Sequence, residues 1–238
     1  MPTLYNYADG GTNTTAVTAA NSGGASGTAM DTGGSGGTLT FSNTVVANGS
    51  LSYLITPSAG TSSWFIMYRN AGGTANTLTF PGLTMFCSGV FYFSTAVPTI
   101  GRMMEYVNSG FSHTAGVGVN ASQKLTLVNA AGTVVNTSTT TLPANAQFRV
   151  ELWVKSDAAA GQIIAKIYLN KNSIVPTEVI TSATNLNTRG GNITAAIWGY
   201  PTTTTTSNPM YMDSLIVSSD SWEAVGPLAA SRTNFLMF

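Results

Sequence analysis

Apolar and polar residues alternate with a period of two along most of this chain, in short runs bounded by Gly, Asn, Pro and Ser. No long window sustains the i, i+3, i+4 apolar spacing of an amphipathic helix. The pattern predicts strands over Thr38–Ser42, Ser50–Ile55, Trp64–Tyr68, Val90–Ser94, Met103–Val107, Ala115–Asn120 and Lys124–Asn129. It continues with Gly132–Asn136, Phe148–Lys155, Ile163–Asn170, Ile193–Tyr200 and Met210–Val217. Short strands at this spacing imply an all-β sandwich or jelly roll. Residues 8–38 are rich in Gly, Thr, Ser and Asn, and on composition alone they read as a flexible arm.

The most regular pair is Phe148–Lys155 with Ile163–Asn170. Val150, Leu152 and Val154 share one face of the first strand; Arg149, Glu151, Trp153 and Lys155 share the other. In the second strand Ile163, Ala165, Ile167 and Leu169 form the aliphatic face, opposite Ile164, Lys166, Tyr168 and Asn170. Residues 156–162 form a hairpin loop. One sheet face is therefore core and the other polar-aromatic. Whether Glu151 sits against Lys166 or Tyr168 depends on register. Pro201 to Pro209 encloses a Thr-rich loop. Phe235, Leu236, Met237 and Phe238 end the chain; four residues this apolar either cap their own core or dock on a neighbouring subunit.

Composition narrows the function. Nine basic and nine acidic residues in 238 give a formal net charge of zero. The basic residues are scattered singly, which excludes nucleic acid as a partner. Near-zero net charge favours association, so a homo-oligomer is expected. No run is apolar enough to span a membrane, and the N-terminus lacks the features of a signal peptide. Synthesis in a cytoplasm is the expectation. Cys87 is the only cysteine, which rules out an internal disulfide, and it reads as a buried small hydrophobe.

Several segments carry a resemblance. Gly118-Val119-Asn120, Lys124-Leu125-Thr126-Leu127 and Gly132-Thr133, leading into Phe148-Arg149-Val150-Glu151, resemble concanavalin-A-like (laminin-G-like) jelly rolls. Tyr211–Val217 resembles that family's closing strand, and Ser221–Pro227 the Gly-Pro ending of many phage-encoded members. Asp9-Gly10-Gly11-Thr12 and Asn21-Ser22-Gly23-Gly24 resemble their opening, which would make the apparent arm the first strands of the domain. Two positions depart from the pattern. Gln147-Phe148 stands where a Trp is usual, and Ser214 where a second acid often follows Asp213.

The resemblance implies a concanavalin-A-like jelly roll of two antiparallel sheets over residues 1–227, followed by an apolar docking tail, 228–238. It implies a component of a bacteriophage virion, on the capsid as a decoration protein or on the tail as a minor tail protein. The partners would be other virion proteins. It also implies a structural calcium ion, with Asp213 and Asp9 as ligands; the alternative is that Asp213 accepts backbone amides. No other cofactor is expected.

Catalysis is not expected. Glycoside hydrolysis needs two carboxylates about 5 Å apart in retaining enzymes, and every acid here is isolated in sequence. His113 is the only histidine, and Phe111-Ser112-His113-Thr114 carries no triad motif, so it reads as a loop residue. One His and one Cys cannot close a tetrahedral zinc site. The expected mechanism is surface complementarity, through Phe235–Phe238 and the Arg149, Glu151, Trp153, Lys166, Tyr168 and Asn170 face. The alternative is a carbohydrate-binding module for host-surface glycans. There Trp153 and Tyr168 would stack on a pyranose, with Glu151, Lys166 and Asn170 as hydrogen-bonding groups.

Overall fold

The period-two faces pair as their chemistry requires. A computed structural model describes residues 2–58, 63–202, 208–222 and 225–226. In chain order the strands are β1 (Thr3–Asn6), β2 (Asp31–Ser35), β3 (Gly37–Ser42), β4 (Ser52–Pro57) and β5 (Ser63–Arg69). Next come β6 (Thr84–Phe93), β7 (Ile100–Asn108), β8 (His113–Val119), β9 (Lys124–Val128) and β10 (Val134–Thr141). The last are β11 (Phe148–Lys155), β12 (Gln162–Tyr168), β13 (Glu178–Thr181), β14 (Ile193–Gly199) and β15 (Met210–Ser218). No α-helix occurs among the described residues, and none is long and apolar enough to cross a membrane.

The strands form two antiparallel sheets. The eight-stranded sheet runs β13-β12-β11-β6-β15-β4-β3, with β1 also on β15. The seven-stranded sheet runs β10-β9-β8-β7-β14-β5-β2. Val150, Leu152, Val154, Ile163, Ala165 and Ile167 are fully buried between them, as their alternation requires. From the other sheet Met104, Tyr106, Trp198, Ile66 and Tyr68 meet them in one core.

Trp198 is the largest side chain of that core. Its indole N–H donates to Ser88 O at 3.1 Å, and its ring meets Tyr68 edge-on at 5.9 Å. Gly89 leaves the space: a Cβ there would stand 3.1 Å from Trp198 Cδ1 and 3.0 Å from Phe91 Cζ. A missing methyl on one sheet thus admits an indole from the other.

The segment that composition reads as a flexible arm is ordered. Asn6 is its hub. The buried Asn6 amide donates to Ser22 O and Thr28 O, and its oxygen accepts from Ala8 N and Tyr53 OH. The loop between β1 and β2 is thereby fastened to β4. Strand β2 was hidden from the alternation because it reads Asp-Thr-Gly-Gly-Ser. Its Gly33 lies under Phe65, whose ring would sit 2.6 Å from a Cβ. Strand β13, an edge strand of four residues, was hidden by its shortness. Glu178 on β13 accepts Thr139 N and Thr140 N of β10, so the two sheets are stapled along that edge. Residues 228–238, the expected docking tail, lie outside the described residues.

Replacing Trp198 by Ala leaves a large cavity and an unpaired Ser88 carbonyl, and is expected to cost about 3–5 kcal/mol of stability. Trp198→Phe should cost visibly less. Chemical denaturation midpoints of the two variants check this ranking.

Candidate functional site

The polar-aromatic face is the outer face of the eight-stranded sheet. The register places Glu151 opposite Lys166, yet Tyr168 also reaches it diagonally, donating its hydroxyl to Glu151 Oε2 at 2.9 Å. Arg149 binds the same carboxylate, its Nε 3.1 Å from Oε1. The Arg149 guanidinium also stacks 3.8 Å from the Tyr168 ring centroid and donates to Lys171 O and Ser173 O. Only 2 % of Arg149, 1 % of Glu151 and 3 % of Tyr168 is exposed. Burial pushes the Glu151 carboxyl upward, against the opposing pull of Arg149.

These residues are thus brought together, but as a closed network that holds the β12–β13 loop. They do not form an open sugar platform. Tyr168 turns its ring to a guanidinium, not to solvent. Trp153 is half-buried and tilted against Phe86. Lys166 lies 3.9 Å over the Trp222 ring, which packs edge-on against Phe86 at 5.2 Å. Asn170 sits exposed in the loop, where its oxygen accepts Asn172 N. The expected tail anchors Phe235, Leu236, Met237 and Phe238 lie outside the described residues.

Asp9 and Asp213 grip the loop before β4. Asp213 Oδ2 accepts Ala47 N at 2.7 Å and Asn48 N at 2.9 Å. Asp9 Oδ1 accepts Ser50 N at 2.8 Å and Leu51 N at 2.9 Å. Calcium requires six to eight converging oxygens, whereas N–H donors converge on these carboxylates. No group of three or more His, Cys, Asp or Glu among the described residues is placed to hold a metal ion. The donor set does not fit calcium. Beside Asp213 is a cleft lined by Tyr92, Tyr211 and Gln147.

The outer face of the seven-stranded sheet carries a cluster that alternation does not reveal. Glu105 on β7 is 4 % exposed. Its Oε2 accepts Arg102 NH1 at 2.7 Å and lies 2.6 Å from His113 Nδ1. With Nδ1–H donated to Glu105, the lone pair of His113 sits on Nε2, which is buried and has no partner among the described residues. Arg189 Nε fixes the histidine backbone by donating to His113 O at 2.7 Å. Arg69, paired to Asp31 at 3.6 Å, lies 5.8 Å over the Phe111 ring of the β7–β8 hairpin. Between these groups runs an apolar strip of Met67, Val107, Ala195 and Ile197. In the sequence His113 was visible but read as a loop residue, and the Arg102-x-x-Glu105 spacing was the only other signal. The register of β7 on β8 joins them.

Cys87 is fully buried and its thiol is pushed up to about 12 by burial, so it is no nucleophile.

No family model matches the sequence, and no curated protein matches it. Solved structures match the fold. The chain is similar to an endo-β-1,4-glucuronan lyase from the fungus Trichoderma reesei, with a TM-score of 0.58 and 13% identity. That match covers 82% of this chain and 91% of the lyase. The cellulose-induced protein Cip1 matches with a TM-score of 0.54 at 18% identity, over 78% of this chain and 87% of that one. A marine PL-14 alginate lyase from Aplysia kurodai matches at 0.53 and 9% identity, over 76% and 87%. The fold is a jelly roll. The expectation that catalysis is absent is corrected here, because two of these three are enzymes. The paired-carboxylate criterion bears on glycoside hydrolysis alone, and a lyase is not a hydrolase.

Burial pushes the Asp213 carboxyl up to about 7. Between about pH 4 and 7 the folded protein therefore holds a proton that the unfolded chain releases, and stability falls as pH rises through that window. Asp213→Asn keeps the oxygen that accepts both amides and removes the titration. The variant is expected to gain on the wild type by up to roughly 1.4 kcal/mol per pH unit across the window. Denaturant midpoints measured from pH 4 to 8 on both proteins check it; parallel curves would contradict the buried-carboxyl account.

Proposed function

We propose that this chain is a carbohydrate-recognition domain that takes acidic polysaccharides on the outer face of its seven-stranded sheet. The observation that carries this reading is the Arg102–Glu105–His113 cluster. It is a polar constellation on a chain with few charges, and it leaves a buried imidazole nitrogen unpaired. Arg102 uses one N–H on Glu105, so other donors of its guanidinium fork remain for a carboxylate. Arg189, exposed and bound to His113 O, adds positive charge beside the cluster, and Arg69 is paired to Asp31. The Glu105–His113 pair has the form of an oriented general base: the carboxylate holds Nδ1–H and leaves Nε2 to take a proton. Glucuronan and alginate, named for the lyases that share the fold, are polymers of uronic acids, so an arginine-bearing face suits them.

Calorimetry with polyglucuronate, alginate and a neutral β-glucan tests this reading, with ultraviolet detection of unsaturated ends as the readout of elimination. The wild type is expected to bind at least one polyuronate. Arg102→Ala should weaken that binding about tenfold, or 1.4 kcal/mol, and His113→Gln should abolish any elimination while binding changes little. Failure of the wild type to bind either polyuronate overturns the reading.

A second reading, a structural component of a phage virion on capsid or tail, has its own support in the β12–β13 loop. Among the described residues, four of the eight exposed large hydrophobic side chains fall between residues 169 and 179: Leu169, Ile174, Val175 and Val179. Ile174 is 81 % and Val175 69 % exposed. Arg149 and the Ser173 hydroxyl, paired to Val175, hold this tip in place. Such anchors suit docking through apolar contact. Under this reading the wild type has an oligomeric native mass. The double change Ile174→Ser, Val175→Ser should shift light scattering toward monomer and leave the melting temperature nearly unchanged.

A further inference from the structure

The loop that Asp213 and Asp9 grip contains the only Asn-Gly pair of the sequence, Asn48-Gly49. Asp213 accepts the amides of Ala47 and Asn48, and Asp9 those of Ser50 and Leu51. The amide between the two clamps, Gly49 N, donates no hydrogen bond among the described residues, and the Asn48 side chain makes none. Asn48, Gly49 and Ser50 are exposed. Position 49 demands glycine, because its φ is 74° and a Cβ there would run into the Asp9 carboxylate.

Asparagine is a chemically labile residue, most of all before glycine, where no side chain crowds the next nitrogen. That nitrogen attacks the side-chain carbonyl carbon, and the side-chain nitrogen leaves as ammonia, its extra proton supplied through solvent by the attacking N–H. Water then opens the succinimide ring at either carbonyl, giving aspartate or isoaspartate. We propose that Asn48-Gly49 is a self-modification site, at which Asn48 of the folded protein converts to aspartate and isoaspartate with water as the co-reactant.

The tertiary structure singles this pair out. Three other asparagines precede a small residue, serine, and each is held. Asn21 accepts Thr18 N and donates to Ala16 O, while Ser22 N is bound to Thr18 O. Asn108 accepts Gly110 N and Ser112 N. Asn172 accepts Lys171 Nζ, while Ser173 N is bound to Asn170 O. At Asn48-Gly49 neither the attacking nitrogen nor the amide under attack is committed.

The products act on the two clamps. Either one adds a carboxylate to a loop already gripped by two, where like charges repel. Isoaspartate also lengthens the main chain by one carbon between the amides bound to Asp213 and those bound to Asp9, so the four bonds cannot all keep their geometry. The conversion therefore loosens the loop before β4, and it runs one way. The Asp9 contact that demands glycine at 49 is also what keeps Asn48 labile. Neither step depends on polyuronate binding.

The test is incubation of the full chain at neutral to mildly alkaline pH, followed by mass-spectrometric peptide mapping, methylation of isoaspartate by its methyltransferase, and melting temperature. Asn48 is expected to convert at least about tenfold faster than Asn21, Asn108 or Asn172, a barrier lower by about 1.4 kcal/mol. The melting temperature should fall in step with the isoaspartate formed. Asn48→Gln, at an exposed side chain with no partner to lose, should start at the wild-type melting temperature and hold it through the incubation. The inference is overturned if Asn48 stays intact, if the four asparagines convert at equal rates, or if protein converted at Asn48 melts as the fresh protein does.

Discussion

Carboxylates that accept backbone amides hold the loops of this protein, and much else depends on them. Five of its nine acidic side chains work in this way. Asp9 and Asp213 hold the loop before β4, and Asp31 takes the amides of Thr74, Ala75 and Asn76. Asp157 caps its own turn at Ala159 and Ala160, and Glu178 joins the two sheets at their edge. Where the acceptor is ionised, bonds from N–H are among the stronger hydrogen bonds of proteins. In a sandwich whose strands are joined by Gly- and Asn-rich loops, they supply order that the loop sequences do not.

The same economy explains the spacing of the charges. Each of these acids meets its own set of amides, so the acids stand singly along the sequence. Among the described residues no three of them gather with His or Cys into a metal cage. Two carboxylates depart from this use. Glu151 and Glu105 are both buried on outer sheet faces, and both bind an arginine. A buried charge is tolerated only when its lone pairs are met. Glu151 is met by Arg149 and Tyr168, and the network closes. Glu105 is met by Arg102 and His113, and the far nitrogen of the histidine is left over. That leftover is the difference between a purely structural network and a candidate for chemistry.

The two outer faces therefore divide their roles. On the eight-stranded sheet the Arg149 network is given to supporting a loop whose tip exposes Ile174 and Val175. A small aromatic cleft opens two strands away. On the seven-stranded sheet an apolar strip lies between arginine-bearing clusters. Both arrangements sit on strands whose inner faces share one core, so the positions of their side chains are set by sheet register.

Much of the architecture was legible in the sequence. A strand buried on one side must alternate, and β11 and β12 do so without interruption; their core faces follow from the pattern alone. The low charge and absence of helical periodicity likewise determined an all-β class. Strands β2 and β13 escaped because glycines under a covering ring and a four-residue edge carry no alternation. The sites escaped for a different reason. Tyr92 with Tyr211, or Glu105 with His113, become neighbours only through register and strand order, which link residues far apart in the chain. Period two tells which face a side chain takes, never which side chain lies beside it. Tertiary structure alone decided that Arg149 and Tyr168 would close on each other and that His113 would be oriented by a carboxylate.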